Sequence, residues 1–346
     1  MLSLIWFVLI LGAIVAVHEF GHFIFAKLSN TYVYEFSIGM GKKLFGKKKK
    51  DGETEFCIRM IPLGGFVNIA GEDITDDGVP KDRQMCNKGF FARFMILFAG
   101  AFFNFIFAFL ILFVSALIWG ATSTKPYVGD VSPEYPAYAA GIETGDLVLS
   151  IDGKKISNWD KGLVMLQTTK GDAVIFEVEK KDGSIVEYTV EPKLEKDEEG
   201  NESYKFGIAT AYEKEYGFMK SLKYAFNKTI ALLGSMWDTL KYLFNGRVGV
   251  NQLSGPVGIF TIVDSQAEQG LEAVLYLVAY LSINVGLINL LPFPAFDGGR
   301  ILFLFIEKIF RKPVSKNVEN IIHTVGFMLI IGLLIFVTLN DILRLF

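Results

Sequence analysis

The sequence predicts a polytopic α-helical membrane protein with four transmembrane helices, a membrane-associated β-hairpin and an inserted extracytoplasmic α+β domain. Three observations carry this. Of the 346 residues, 51% are hydrophobic and gathered in long runs, which places the chain among membrane proteins. Four of those runs are long enough to cross a hydrocarbon core of ~30 Å at ~1.5 Å per helical residue. Between the second and third, from Pro126 to about Tyr216, the composition turns polar and short strand-like stretches alternate with turn signals.

Residues 1–26 form the first predicted span; Met1 to Phe25 holds no Lys, Arg or Asp. A secretory signal peptide would carry a basic n-region, which is missing here. Residues 27–93 form a loop rich in cations, among them Lys42, Lys43, Lys47 to Lys50, Arg59, Lys81, Arg83, Lys88 and Arg93, and the positive-inside rule puts it in the cytoplasm. Within it Glu53 to Ala70 alternates β-branched and aromatic residues with others around Pro62, Gly64 and Gly65. That pattern predicts a hairpin dipping toward the bilayer, with an ordinary cytoplasmic hairpin as the competing reading.

The second span covers 94–121, and the α+β domain 126–212, with a helical stretch at Pro136 to Ala140 and a charged loop, Lys193 to Ser203, expected to be mobile. Residues 217–263 hold an amphipathic helix, Gly217 to Phe244, with apolar residues at three- and four-residue steps. It would lie along the outer membrane surface or face the core of the α+β domain. The uncharged, glycine-rich stretch after it reads as interfacial or re-entrant. The third span covers 273–296, a second basic cytoplasmic loop 297–320 and the fourth span 321–343. Four crossings leave both termini and the α+β domain outside.

Net charge is −3, too little basic field to draw the chain onto nucleic acid. Two cysteines, Cys57 and Cys86, are too few for a disulfide framework. The chemistry concentrates in His18-Glu19-Phe20-Gly21-His22, an HExxH sequence inside the first span. A four-residue step on a helix stacks both imidazoles on one face, where their nitrogens can reach one Zn²⁺ at ~2.0–2.1 Å. Glu19 then stands where it can take a proton from a water and return it to a leaving amine. Two imidazoles and a carboxylate in a span are costly unless paired, hydrated or metal-bound, which weighs against a purely structural role.

A catalytic zinc takes a third protein ligand, and with three histidines in the chain the candidates are His323 or a carboxylate. Asp297 is preferred because it sits in Asn289-Leu-Leu-Pro-Phe-Pro-Ala-Phe-Asp-Gly-Gly299, where prolines and glycines break an apolar span; such breaks persist in membranes only where they are buried in protein or line a cavity. Asn284 and Asn289 on that span would contact substrate or hydrogen-bond between helices. Asn104 in the second span has the same two readings, and Gly100 one turn earlier favours close helix packing.

HEFGH in the first span, IPLGGFV at 61–67, AGAFFNF at 99–105 and NLLPFPAFDGG at 289–299 together resemble the site-2 protease family, in its bacterial RseP-like branch, over nearly the whole chain. Ala139 to Ile142 and Gly145 to Gly153 look like parts of a PDZ domain, and SGPVGI at 254–259 is similar to the segment that follows it in these proteins. The resemblance implies zinc held by His18, His22 and Asp297, Glu19 as catalytic base, Asn284 and Asn289 against substrate, and strand pairing between the Gly64-Gly65 hairpin and the substrate. It further implies a bacterial plasma (inner) membrane location with the active site near the cytoplasmic face. Single-pass membrane proteins such as anti-sigma factors and remnant signal peptides would be the substrates, after an upstream site-1 protease. Phe296 stands where the family commonly has Leu, Ala101 where Pro often follows Gly, and a single PDZ-like segment where some relatives carry two. A membrane-tethered PDZ adaptor with a vestigial metal site is the rival reading; intact Glu19 argues against it.

Overall fold

The computed structural model describes residues 2–48, 52–72, 78–122, 125–169, 171–196, 202–210, 214–247, 249, 253–312 and 314–344. Lys49 and Lys50 of the basic loop, and the tip of the 193–203 segment, lie outside the described residues. In chain order the elements are α1 (Leu2–Leu28), β1 (Val33–Lys48), β2 (Glu55–Ile69), α2 (Phe90–Trp119), β3 (Ala121–Thr122), β4 (Val128–Val131), α3 (Pro136–Ala140), β5 (Leu147–Ile151), β6 (Lys154–Lys155) and α4 (Trp159–Gln167). There follow β7 (Val174–Glu179), β8 (Ile185–Val190), β9 (Lys193–Lys196), β10 (Glu202–Lys205), β11 (Ile208–Thr210), β12 (Lys214–Glu215), α5 (Phe218–Phe244), α6 (Pro256–Gln269), α7 (Leu271–Asn289), α8 (Asp297–Phe310) and α9 (Lys316–Arg344). Among the described residues four helical stretches are long and apolar enough to cross a membrane: Ser3–Leu28, Phe90–Trp119, Leu271–Asn289 and Asn317–Arg344. The chain is a multi-pass membrane protein. It divides into two compact units, Met1–Ile111 with Asn251–Phe346, and Leu112–Val250.

In the first unit α1 is the hub. Ile10 and Ile14 are buried against Val263 of α6 and Val274, Leu277 and Val278 of α7. At its other end Ala26 joins Val33, Ile69, Met85, Ile96 and Leu97. In lipid such helices gain little from the hydrophobic effect and associate by close packing of small residues. Gly21 shows why: a Cβ there would stand 2.4 Å from the Ala99 carbonyl oxygen of α2. Beyond the helix, Glu53 accepts from Arg83 (2.5 and 2.7 Å) and from Lys27 (2.9 Å). The Arg83 hydrogen bonds, then Lys27, hold its carboxyl down at about 2, so this tie persists in acid to near that pH.

The hairpin expected within Glu53 to Ala70 takes a different form. β1 bends at Gly39, whose φ is +87°, and its first arm runs between the two arms of β2. Phe36 and Ile38 sit opposite Val67 and Gly65 on one side, and opposite Phe56 and Ile58 on the other. The second arm of β1 then pairs antiparallel with the first arm of β2, Lys48 opposite Glu55 and Phe45 opposite Ile58. The two arms of β2 are therefore separated by a strand from outside the expected hairpin. Residues 65–69 are left at one sheet edge.

The third span also departs from expectation. Helix α7 stops at Asn289, because Pro292 and Pro294 cannot continue it, and residues 290–296 form a non-helical connection. Ala295 holds φ +76°, and its N–H donates to His323 Nδ1 at 2.9 Å. The 297–320 stretch, expected as loop, opens with the 14-residue helix α8. The glycine-rich stretch to residue 263, expected to be interfacial or re-entrant, runs into helix α6, which packs on α1 and α7 through Ile259, Val263 and Ala267, a four-residue stripe that its glycines obscured. Pro256 occupies the first turn of α6, and Asp341 of α9 accepts the Gly258 N–H at 2.8 Å.

In the second unit an antiparallel sheet of order β6-β5-β7-β8 buries alternate residues Val174, Phe176 and Val178 of β7, the period-two pattern of a half-covered strand. They join Val128, Val148, Ile151, Trp159 and Val190 in one core. β11 pairs with β4 and β12 with β3. The 193–203 segment, expected as a mobile loop, contributes paired strands: β9 and β10 are antiparallel, with Leu194 opposite Tyr204 and Lys196 bridged to Glu202 at 3.0 Å. Helix α5 is tied to α4 by Lys228 and Asp160 at 2.9 Å. It exposes Met219, Phe226, Ile230 and Trp237 at seven- and four-residue steps, one apolar stripe along the helix.

Candidate metal centre and active site

Helix α1 carries His18 and His22 one turn apart with Glu19 next to His18, and both histidines are buried at 7% and 8% exposure. Their Nε2 atoms lie 3.1 Å apart. The first residue of α8, Asp297, brings Oδ2 to 3.1 Å from His18 Nε2 and 3.4 Å from His22 Nε2. Ligands at ~2.0–2.1 Å around a tetrahedral zinc stand ~3.3 Å from one another, so these three atoms already have the spacing of one face of that tetrahedron. His22 Nδ1 faces the Ile96 carbonyl oxygen at 2.8 Å; a carbonyl only accepts, so Nδ1 donates and Nε2 keeps its lone pair for a metal. Asp297 Oδ2 is buried without a hydrogen-bond partner. A buried carboxylate oxygen with no hydrogen-bond donor, beside the His22 Nε2 lone pair, suits a cation. The donor set and its spacing fit zinc.

Room for the imidazoles comes from α2. A Cβ on Gly100 would stand 2.3 Å from His22 Nε2 and 2.8 Å from His18 Cε1. Any side chain there would collide with both rings. The start of α8 is equally tight, since a Cβ on Gly298 would meet the Leu291 carbonyl oxygen at 2.2 Å.

Glu19 sits beside the ligands and against the edge of the sheet. The Val67 backbone lies near its carboxylate, and Gly65 is close enough that an added Cβ would lie 3.6 Å from Glu19 Cγ. The edge formed by residues 65–69 thus faces the candidate base. Gly64 makes the turn into that edge with φ +106° and packs against Met40.

Of the remaining candidates, Asn284 is partly buried on α7 with Oδ1 unpartnered. Asn289 is the last residue of that helix. No polar contact joins either amide to His18, His22, Glu19 or Asp297 among the described residues. His323, the other candidate for third ligand, instead accepts from Ala295 N–H, steadying the connection that leads into Asp297. That role was invisible in the sequence, as was the Ile96 carbonyl; both depend on backbone atoms brought close by tertiary packing.

The fold and this site define a membrane-embedded metalloenzyme, its candidate ligands shared between a spanning helix and a helix that begins at a broken span. The chain belongs to Peptidase family M50, whose model matches residues 6–333, and is a zinc metalloprotease. It is similar to CPE1693 of Clostridium perfringens (strain 13 / Type A), 39% identical over 344 residues and 98% of each chain. It is 32% identical over 423 residues to zinc metalloprotease RasP of Shouchella clausii (strain KSM-K16), covering 99% of each. The regulator of sigma-W protease RasP of Bacillus subtilis (strain 168) is 31% identical over 422 residues, again 99% of each. Among solved structures, the PDZ domain of the SdrC-like protein from Listeria monocytogenes is 25% identical and covers 26% of this chain and 90% of that one, at a TM-score of 0.22.

Proposed function

We propose that this chain is an intramembrane zinc endopeptidase that cleaves single-pass membrane proteins near the cytoplasmic face. The observation that carries the reading is the convergence of His18 Nε2, His22 Nε2 and Asp297 Oδ2 within 3.4 Å beside Glu19. Zinc held there would supply a Lewis acid that polarises the scissile carbonyl and makes water acidic enough to attack near neutral pH. Glu19 accepts the proton of the attacking water and gives it to the amide nitrogen as the C–N bond breaks. In a proteoliposome assay with a fluorescent single-pass substrate, chelation is expected to abolish cleavage and zinc to restore it. Full cleavage by the metal-stripped protein would end this reading.

A helical substrate hides its peptide bonds and must be held extended for attack. The edge at residues 65–69 supplies the backbone partners by strand addition, with Gly65 and Val67 next to Glu19. Asn284, with its unpartnered amide oxygen, and Asn289 would hold the unwound segment. An added strand bonds through every second residue. Single N-methylation scanned across the scissile bond of a synthetic substrate should therefore lower cleavage about tenfold at alternate positions, and a flat scan would reject edge pairing.

The substrates proposed are anti-sigma-factor-like proteins and remnant signal peptides, trimmed beforehand by a site-1 protease. The Bacillus subtilis relative is named a regulator of sigma-W protease, which supports the first of these. The second compact unit is read as an extracytoplasmic PDZ-like domain that refuses substrates with a bulky outer part, and α5 as resting its apolar stripe on the membrane. Removing residues 126–212 should then permit cleavage of untrimmed substrate while trimmed substrate is cut as before; unchanged discrimination would show that the filter lies elsewhere.

A further inference from the structure

His18 and His22 are held differently on their far sides. His22 Nδ1 meets a carbonyl, which allows a single tautomer. His18 Nδ1 instead meets the side-chain amide of Asn104, with Nδ2 at 3.3 Å, and Asn104 is fully buried on α2. An amide can present either a donor or an acceptor in nearly the same space. With NH₂ toward the ring, His18 Nδ1 must accept, the proton moves to Nε2, and Nε2 has no lone pair for a metal. That arrangement also leaves Asn104 Oδ1 buried and without a partner. With Oδ1 toward the ring, Nδ1–H donates and Nε2 is free to bind.

We propose that Asn104 is a positioning residue of the metal centre, accepting the His18 Nδ1–H through Oδ1 and so setting the tautomer and ring orientation that zinc requires. The inference rests on the zinc reading of His18, His22 and Asp297. It explains why a polar side chain is retained at a fully buried point of an apolar spanning helix, one turn after Gly100: the glycine makes room for both rings and the amide fixes one of them. From α7, Ser282 Oγ donates to the backbone carbonyl of Asn104 at 2.9 Å and not to its side chain. The amide is therefore left for the histidine. Partners of metal-bound histidines typically alter metal affinity about 10–100-fold when removed.

The test compares full-length wild type, His18→Ala, Asn104→Leu and Asn104→Asp, purified in detergent. Zinc affinity is measured by competition with a chromophoric chelator, and the Co²⁺-substituted proteins are compared by visible absorption. Asn104→Leu keeps the volume but loses the acceptor, and is expected to lose about 10–100-fold in zinc affinity with a changed Co²⁺ spectrum. Asn104→Asp keeps an acceptor at the same place and should retain affinity within about threefold and the wild-type spectrum. Wild-type affinity in Asn104→Leu would overturn the proposal, and so would equal loss in the leucine and aspartate variants, which would mark a packing role. Zinc binding that is weak in wild type, or unchanged in His18→Ala, would instead defeat the metal centre itself.

Discussion

Glu19→Gln is expected to keep its zinc and lose its activity. Glutamine has the shape of glutamate, so the side chain should stay beside the sheet edge, where Gly65 lies against it. The proposed metal ligands on the same helix, His18 and His22, are untouched. What disappears is the ability to take a proton from water and deliver it to the leaving amide nitrogen. General acid–base groups of this kind contribute about 10²–10⁴-fold, or about 3–5 kcal/mol of barrier. In proteoliposomes holding a single-pass substrate, the variant should therefore cleave at least about a hundredfold more slowly, at equal zinc content by elemental analysis. Cleavage within a few-fold of wild type would remove Glu19 from the mechanism. Loss of zinc along with activity would mean that Glu19 acts on the metal centre and not on water.

The candidate site was legible where its geometry is local. The step from His18 to His22 is one helical turn, so their alignment follows from helix periodicity alone, and the cost of placing them in a span points to a metal. Asp297 was legible for another reason: Pro292, Pro294, Gly298 and Gly299 mark a break that a membrane tolerates only against protein. The sheet was not legible, because one of its two inner arms, Val33 to Ile38, comes from before the alternating segment and pairs with it across a gap that no local pattern encodes. Helix α8 was hidden by Gly298 and Gly299, poor helix formers retained because their missing side chains let the first turn press against residues 290–293. Glycines concealed α6 in the same way. Gly255 and Gly258 admit the carboxylate of Asp341 to the helix start, a contact 83 residues away in sequence.

The close seat of α8 makes a second large effect testable at a residue that binds nothing. In Gly298→Ala the new Cβ would stand 2.2 Å from the Leu291 carbonyl oxygen and 2.4 Å from that of Leu290. Both are backbone atoms, so no side-chain rotation relieves the clash, and the first turn of α8 must withdraw. Asp297 is the first residue of that turn. Its Oδ2 would move with it, while zinc–ligand distances tolerate only about 0.2 Å. Gly298→Ala is therefore expected to weaken zinc binding by at least about tenfold and to lower cleavage in proportion; overpacking of this kind also costs about 1–3 kcal/mol of stability. Asp297→Asn, which keeps the shape and removes the charge, should weaken zinc more, whereas Gly332→Ala on α9, where a Cβ would meet nothing within 4 Å, should change neither quantity. Zinc bound equally well by Asp297→Asn and wild type would remove Asp297 from the ligand set. Loss in Asp297→Asn with full binding in Gly298→Ala would keep the ligand and show that the connection at 290–296 yields to the added methyl. The pairing of the two variants thus separates the chemistry of the third ligand from the packing that delivers it.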